Sequence, residues 1–159
     1  MENHLEEKKK IEEIVARAQM VVQPKIAPVQ RVLDDIKLQL AHGTDRIPTS
    51  QLHEWGLVLA IISTEMTPQK EAYALSSAFW KASMSKTKAT TVAARRLEKK
   101  AIADAENEAV TLNTDKETER LIMEYMTSLL RTTKEDVYMM CSELNRIMDA
   151  RSRWQEDKK

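Results

Sequence analysis

The chain has 159 residues, 31% of them charged, and its 25 basic residues balance its 25 acidic residues. A net formal charge of zero argues against general attraction to nucleic acid or to anionic membranes, so any attraction of this kind must be local. The length suits one domain, and 4% aromatic residues with two glycines and four prolines are typical of a helical protein rather than a sheet protein.

A single cysteine, Cys141, excludes an intramolecular disulfide and indicates a reducing compartment. No apolar run approaches the roughly 20 residues that a membrane helix needs. The N-terminal sequence MENHLEEKKK lacks the apolar core of a signal peptide. We therefore expect a soluble, cytoplasmic protein without membrane contacts.

The first predicted element is an amphipathic helix over residues 11–40, where apolar side chains recur at spacings of three and four. Pro24 and Pro28 each remove a backbone donor, so they predict a kink or a break into two helices near Gln23. Gly43 predicts the end of this helix and the start of a surface loop.

The second predicted helix begins at Thr49 or Ser50, either of which can cap it. It is the most apolar part of the sequence, and we expect it at the centre of a packed bundle or of an oligomer. Thr67 followed by Pro68 is typical of a helix start, so a separate third helix is predicted from Pro68. The apolar line of the second helix consists of Leu52, Trp55, Leu59, Ile62 and Met66.

The third predicted helix runs from Pro68 toward Leu112. Polar side chains interrupt its apolar spacing between Ser83 and Thr91, which leaves a continuous helix and a hinge both open. If the helix is continuous, one ridge of side chains is predicted to face the core. That ridge contains Leu75, Phe79, Ala93 and Leu97.

The C-terminal part repeats a helix-start pattern in which a threonine precedes a glutamate by three residues. Thr114 and Glu117 form the first such pair, and Thr132 and Glu135 form the second. This region is therefore predicted to be one helix with a weak point or two separate helices.

The whole pattern predicts an all-α protein whose long helices form an extended bundle or an assembly of helical hairpins. Residues 1–48 are expected to form a kinked N-terminal region and residues 49–159 a helical core. Apolar stripes are numerous while aromatic filling is sparse, which favours a homo-oligomer. The predicted subunit interface consists of Trp55, Leu59, Ile62, Tyr125, Leu129 and Leu144.

The sequence offers no group of residues typical of an enzyme. It lacks a Glu-x-x-His pair for a di-iron bundle, a cysteine cluster for zinc and a glycine-rich loop for a nucleotide. Cys141 lies in an apolar run, so we expect an inert, buried thiol. We predict a non-enzymatic protein with no catalytic residue, no metal site and no cofactor.

The most distinctive local feature is a basic stretch, since no Asp or Glu occurs from Ala72 to Leu97. On a continuous helix the cations at positions 81, 88, 95 and 99 fall within about 40° of one another and form a stripe. Such a row suits a polyanion, and Trp80 is a candidate stacking surface for bases. The predicted nucleic-acid-binding residues are Lys81, Lys86, Lys88, Arg95, Arg96, Lys99 and Lys100.

Other interpretations of the basic stretch stay open. A charge run on a helix is usually a solvated face. Residues 101–119 carry mainly the opposite charge, so basic and acidic segments can also pair within the protein or between subunits. A third interpretation is an acidic protein partner.

Three segments between Gln51 and Gln155 have a familiar layout. They are a tryptophan-bearing helix, LHEWGLVLAII, a following part rich in Lys and Ala, KEAYALSSAFWK and KATTVAARRLEKK, and a terminal segment, YMMCSELNRIMDARSRWQ. In this layout the chain resembles the recombination mediator proteins of tailed phages, of the UvsY type. The N-terminal residues 11–40, with their two prolines, depart from that layout.

The resemblance implies a homo-oligomer that binds single-stranded DNA and helps to load a RecA-like recombinase onto strands covered by single-strand-binding protein. It implies that the DNA contacts come from basic residues on helices. We therefore expect a recombination mediator in the cytoplasm of a bacterial host. The alternative is an oligomeric structural or protein-interaction module without nucleic-acid binding. The positions that match the family's basic residues are Lys81, Lys88, Arg95, Arg96 and Lys99.

Overall fold

A computed structural model describes residues 2–98 and 101–156 of the chain. The order of elements is helix α1 (Glu2–Ala41), a short 3-10 turn (Thr44–Arg46), helix α2 (Thr49–Leu97) and helix α3 (Ile102–Glu156). Helix α2 packs against α3 as a hairpin, and no strand occurs in the described ranges. The predicted all-α fold of long helices is therefore confirmed.

Helix α1 is continuous, and the predicted break near its two prolines is wrong. Pro24 and Pro28 both lie inside the helix. Their rings face solvent, while Val22, Ile26 and Val29 of the same segment are buried. An interior proline costs about 3 kcal/mol, and burying each large apolar side chain returns roughly 1.5–3 kcal/mol. Packing on both sides of the prolines therefore holds the helix together.

Helix α2 joins what the sequence predicted as two helices. It begins at Thr49, as expected, but continues through Pro68 to Leu97. The Thr67 hydroxyl donates to the Ser63 carbonyl one turn earlier, at 2.9 Å, and does not cap a new helix. The helix start predicted at Pro68 is therefore wrong.

The segment between Ser83 and Thr91 is helical, so the hinge is excluded. Hydroxyl groups in this segment donate to carbonyl oxygens one turn before them, which lets polar residues stay within a helix. Thr87 donates to the carbonyl of Ser83 at 3.1 Å, and Thr90 donates to that of Lys86 at 3.0 Å.

Helix α3 is also a single helix, and the two predicted helix starts lie in its interior. The Thr114 hydroxyl donates to the Val110 carbonyl at 3.3 Å instead of capping a new turn. Thr133 is buried and donates to the Leu129 carbonyl at 3.0 Å. The threonine–glutamate pattern that predicted two helix starts therefore lies within an unbroken helix here.

The connection between α1 and α2 turns at Gly43, as predicted. Gly43 has a φ of 111°, a region that favours glycine. Beyond it, Ile47 is buried, and its carbonyl accepts a hydrogen bond from Arg151 of α3 at 2.8 Å. Arg151 also donates to the Thr44 carbonyl and, at 3.2 Å, to the Thr49 hydroxyl. One guanidinium thus satisfies backbone and side-chain acceptors of the loop.

The chain forms two compact units, and all three helices contribute to each. Unit 1 comprises Met1–Val21 and Glu71–Thr127, while unit 2 comprises Val22–Lys70 and Ser128–Lys159. In the part of the chain that the structure describes, no helix is long and apolar enough to cross a membrane.

Unit 2 has a large apolar core. Branched side chains and methionines from three helices fill it, which is the usual way for amphipathic helices to bury their apolar stripes. The buried apolar residues of unit 2 are Val22, Ile26, Val29, Leu33, Ile36, Ile47, Leu52, Leu59, Met66, Leu130, Val137, Met140, Leu144 and Ile147.

Unit 1 has a smaller core. From Glu71 to Leu97, the one buried side chain that α2 contributes is Ser77. Helix α3 contributes two alanines, Ala105 and Ala109, together with two larger side chains. Small buried residues on both helices leave little apolar surface in this contact, and polar side chains make contacts between the helices.

Candidate interaction surface on the second helix

The basic side of α2 in unit 1 faces acidic residues of α3. The Lys88 ammonium lies 3.0 Å from a carboxylate oxygen of Glu106. Both side chains are about half exposed, so this pair contributes little to stability. Its main consequence is that the Glu106 carboxylate partly offsets the charge of Lys88 within the protein.

Arg95 forms the best-defined ion pair of this side. Its Nε donates to Glu108 at 2.5 Å and its Nη2 donates to the second oxygen of the same carboxylate at 2.7 Å. A further bond of 2.7 Å joins Nη1 to Glu98. Hydrogen bonds to Glu108, and secondly to Glu98, raise the pKa of the Arg95 guanidinium. Arg95 is therefore committed to contacts inside the protein.

Three further polar contacts join α2 and α3 in unit 1. The Lys116 ammonium donates to the Thr87 hydroxyl at 2.5 Å. The Asn113 amide donates to the backbone carbonyl of Met84 at 3.2 Å. Ser77 donates to a carboxylate oxygen of Glu124 at 3.4 Å. Within the polar stretch of α2, Thr87 and the backbone of Met84 thus contact α3, whereas Lys86 and Thr90 are exposed.

Three of the predicted nucleic-acid-binding cations are both exposed and without an ion-pair partner among the described residues. Lys81, Lys86 and Arg96 make no ion pair with any residue that the structure describes. On an ideal helix they spread over about 140°, so they do not form the narrow stripe that the sequence suggested. Lys99 and Lys100 lie outside the described residues.

Opposite the core, α2 carries an apolar face, and the core-facing ridge predicted from the sequence is wrong. Leu75 is 72% exposed, Phe79 66% and Leu97 88%. Helix α2 has turned its charged side to α3, where Glu106 and Glu108 pair with it, so these side chains point away. We call the following residues the outward face of α2: Ala72, Leu75, Phe79, Ala82, Lys86, Ala89, Ala93 and Leu97.

The two neighbouring aromatic residues of α2, Phe79 and Trp80, differ in their exposure to solvent. Trp80 is half buried, while the exposed Phe79 ring meets its indole edge-on, with ring centroids 5.6 Å apart. Trp80 was the candidate for base stacking, yet Phe79 offers the larger free surface. The helical spacing of Phe79 with Leu75 had predicted that Phe79 faces the core, but its side chain is exposed.

The residues of the predicted subunit interface lie largely in unit 2, and some of them are buried within the chain. Leu59 and Leu144 are fully buried within the chain, so neither is available to a second subunit in this fold. The other four residues of the predicted interface, Trp55, Ile62, Tyr125 and Leu129, are half buried, and their contact with another subunit stays a prediction.

A cleft of about 440 Å³ lies in unit 1 among the three helices. Its lining includes Lys10 and Lys88 together with Glu106 and Glu117, so both charge signs are present. In the described part of the chain, no group of three or more His, Cys, Asp or Glu is placed to hold a metal ion. Burial raises the pKa of the Cys141 thiol, which disfavours the reactive thiolate.

Comparisons with known proteins give no match to this chain among family models, curated proteins or solved structures. The surface of unit 1 is therefore the basis for a functional hypothesis.

Proposed function

We propose that this protein is a non-enzymatic helical interaction module that assembles through the outward face of α2. The observation that carries this proposal is the orientation of α2 in unit 1, with its basic side toward α3 and its apolar side toward solvent. Large apolar side chains, Leu75 and Phe79, lie in solvent, while Lys88 and Arg95 are paired with α3. A helix that places polar groups inward and apolar groups outward has a surface suited to another protein.

The composition of this face supports close helix packing. Ala72 and Ala82 flank Leu75 and Phe79 along it, so a second helix can approach closely on either side of the large side chains. Burying the exposed part of each large side chain is worth about 1–2 kcal/mol. Association costs at least about 4 kcal/mol, so a face of this size supports binding that depends on concentration.

The ion pairs account for two cations of the basic stretch without a polyanion. Lys88 and Arg95 stood at the centre of the predicted stripe, and their charges are balanced by Glu106 and Glu108. This arrangement agrees with the interpretation in which basic and acidic segments pair within the protein.

Sedimentation equilibrium with an exposed-residue variant tests the proposal. Phe79→Asp places a charge on the outward face and should shift the protein toward the monomer, because the charge has no partner there. Tyr138→Asp is the matched control, since Tyr138 is a similarly exposed aromatic residue on α3 in unit 2. Equal masses for wild type and Phe79→Asp at every concentration would overturn the proposal.

A second candidate function is binding of single-stranded DNA as a recombination mediator. Lys81, Lys86 and Arg96 favour it, because they are exposed and no acid interrupts α2 from Ala72 to Leu97. The resemblance to phage recombination mediators points the same way. In that function the partners would be a recombinase and single-strand-binding protein.

Fluorescence anisotropy of a labelled oligonucleotide, measured at several salt concentrations, tests this second function. Three phosphate contacts predict a slope of log affinity against log salt of about −2 for a single strand. The triple variant Lys81→Glu, Lys86→Glu, Arg96→Glu should remove binding. Lys88→Ala should leave it nearly intact, because Lys88 is already paired. A flat signal at low salt would exclude nucleic-acid binding.

A further inference from the structure

We propose that the partner for the outward face of α2 is a second copy of this chain, packed antiparallel, with each Glu71 beside the partner's Lys86. The twofold axis then passes the peptide bond between Ala78 and Phe79. This inference rests on the proposed function and adds the identity, direction and register of the partner helix.

The first observation is an unpaired charge in the middle of an apolar face. Lys86 is the one charged residue of the outward face, and it forms no ion pair within the described residues. The positions one turn away on α2 are Ala82, Ser83, Ala89 and Thr90, none of which is acidic. A helix that covers this face binds more favourably if it supplies an acid to Lys86, since burying an unpaired ammonium is costly.

The second observation is an unpaired acid at the edge of the same face. Glu71 is exposed and forms no ion pair within the described part of the chain. The positions one turn away are Thr67, Pro68, Ala74 and Leu75, so no cation neutralises it along the helix. After Glu71, helix α2 contains no further acidic residue. The next acidic residue in the sequence is Glu98, beyond the helix end.

The positions of these two charges satisfy a twofold axis. Glu71 and Lys86 lie the same number of residues on either side of the Ala78–Phe79 bond, about 11 Å from it along the helix. Their directions around the helix differ by about 60°, so both reach the same contact. Turning one copy by 180° therefore exchanges the two positions and forms two ion pairs.

The apolar residues fit the same register. The rotation places Leu75 opposite the partner's Ala82, and Phe79 opposite the partner's Ala78. Each large side chain thus meets a small one, which is the packing that allows two helices to interdigitate without voids.

A parallel arrangement lacks these features. In register, it stacks Lys86 on the partner's Lys86 and Phe79 on the partner's Phe79. Like charges then face each other inside the contact, and two large rings compete for the same space. The charge pattern thus favours the antiparallel pair.

Charge-reversal variants of the full chain test this register by sedimentation equilibrium, from about 1 μM to about 1 mM protein. Glu71→Lys alone and Lys86→Glu alone should each weaken self-association about tenfold, because two attractive pairs per dimer become repulsive. The double variant Glu71→Lys, Lys86→Glu should restore the wild-type association, because both pairs re-form with exchanged signs.

A mixture of the two single variants gives an independent readout. In the antiparallel dimer, one copy with Lys at both positions and one with Glu at both positions form two ion pairs, so mixing restores association to the wild-type level. In a parallel dimer, the mixture associates more tightly than either wild type or the double variant. That result would overturn the antiparallel register.

The control is Lys81→Glu, which makes the same charge change about 140° around the helix from Lys86. It should leave self-association unchanged, and circular dichroism should show equal helix content in every variant. A monomeric wild type at all concentrations would overturn both this inference and the proposed function. Self-association that Phe79→Asp disrupts, but that neither single charge reversal weakens, would overturn this register alone.

Discussion

Arg95 of α2 holds both carboxylate oxygens of Glu108 of α3, at 2.5 and 2.7 Å. This two-point contact directs the basic side of α2 toward α3 in unit 1. The opposite side, with Leu75 and Phe79, consequently faces outward. Orientation of the outward face is thus linked to this ion pair.

We expect the pair of Arg95 with Glu108 to be coupled more strongly than the pair of Lys88 with Glu106. The planar guanidinium binds both oxygens, whereas the lysine makes a single contact between half-exposed side chains. Double-mutant cycles to alanine, followed by urea unfolding, measure both coupling energies. An equal or larger coupling energy for the lysine pair would contradict this account.

Leu59→Ala should lower the free energy of unfolding by about 2–5 kcal/mol, because Leu59 is fully buried in unit 2 and its removal leaves a cavity. Leu57→Ala is the matched control on the same helix, where the side chain is 67% exposed, and should change it by less than about 0.5 kcal/mol. Urea unfolding monitored by circular dichroism checks both values. Similar losses for the two variants would show that α2 has a different orientation in unit 2.

Arg151→Ala should release the connection between α1 and α2. The guanidinium donates to the carbonyls of Thr44 and Ile47, and losing bonds to a charged donor costs about 1–2 kcal/mol. Hydrogen exchange of amides in residues 44–50 should become faster. Arg153→Ala, an exposed neighbour on α3, serves as the control and should leave the exchange unchanged.

Stability in acid should depend on Glu117. Hydrogen bonds from Arg120 lower the pKa of Glu117, with distances of 2.8 Å from Nε and 2.7 Å from Nη2. A carboxylate with a lowered folded pKa stabilises the fold above its unfolded pKa, and this contribution is lost as pH falls through the folded value.

The urea concentration at the unfolding midpoint of the wild type should therefore decrease as the pH is lowered past about 4. The midpoint of Glu117→Gln should decrease less steeply over the same pH range. Near neutral pH the variant should be the less stable protein, since the charged contact with Arg120 is gone. Parallel pH profiles for the two proteins would show that the pair contributes nothing measurable.

The sequence was sufficient for the helical class and for the burial of residues in unit 2. In that unit the periodicity of residues 22–36 and of Leu52, Leu59 and Met66 matches the buried side chains. These patterns are strong because the buried side chains recur along one side of each helix, although α2 also carries exposed apolar residues such as Leu57 and Ile61. Tertiary packing then overrode the local signals for helix starts at Pro68 and Thr114.

The orientation of α2 in unit 1 was not predictable from periodicity. An apolar stripe predicts that a side will be covered, but it does not tell whether the cover comes from the same chain. The contact of α2 with α3 depends on Arg95, Thr87 and other polar residues, whose partners are distant in sequence. The acidic residues of 101–119 were the available signal, since they complement the basic stretch.

The most direct test of the central claim is sedimentation equilibrium of the wild-type protein over increasing concentration. If the outward face of α2 binds a second copy, the weight-average mass should rise from the monomer value of 18.3 kDa toward twice that value. A mass that stays at 18.3 kDa up to about 1 mM would contradict self-assembly through this face.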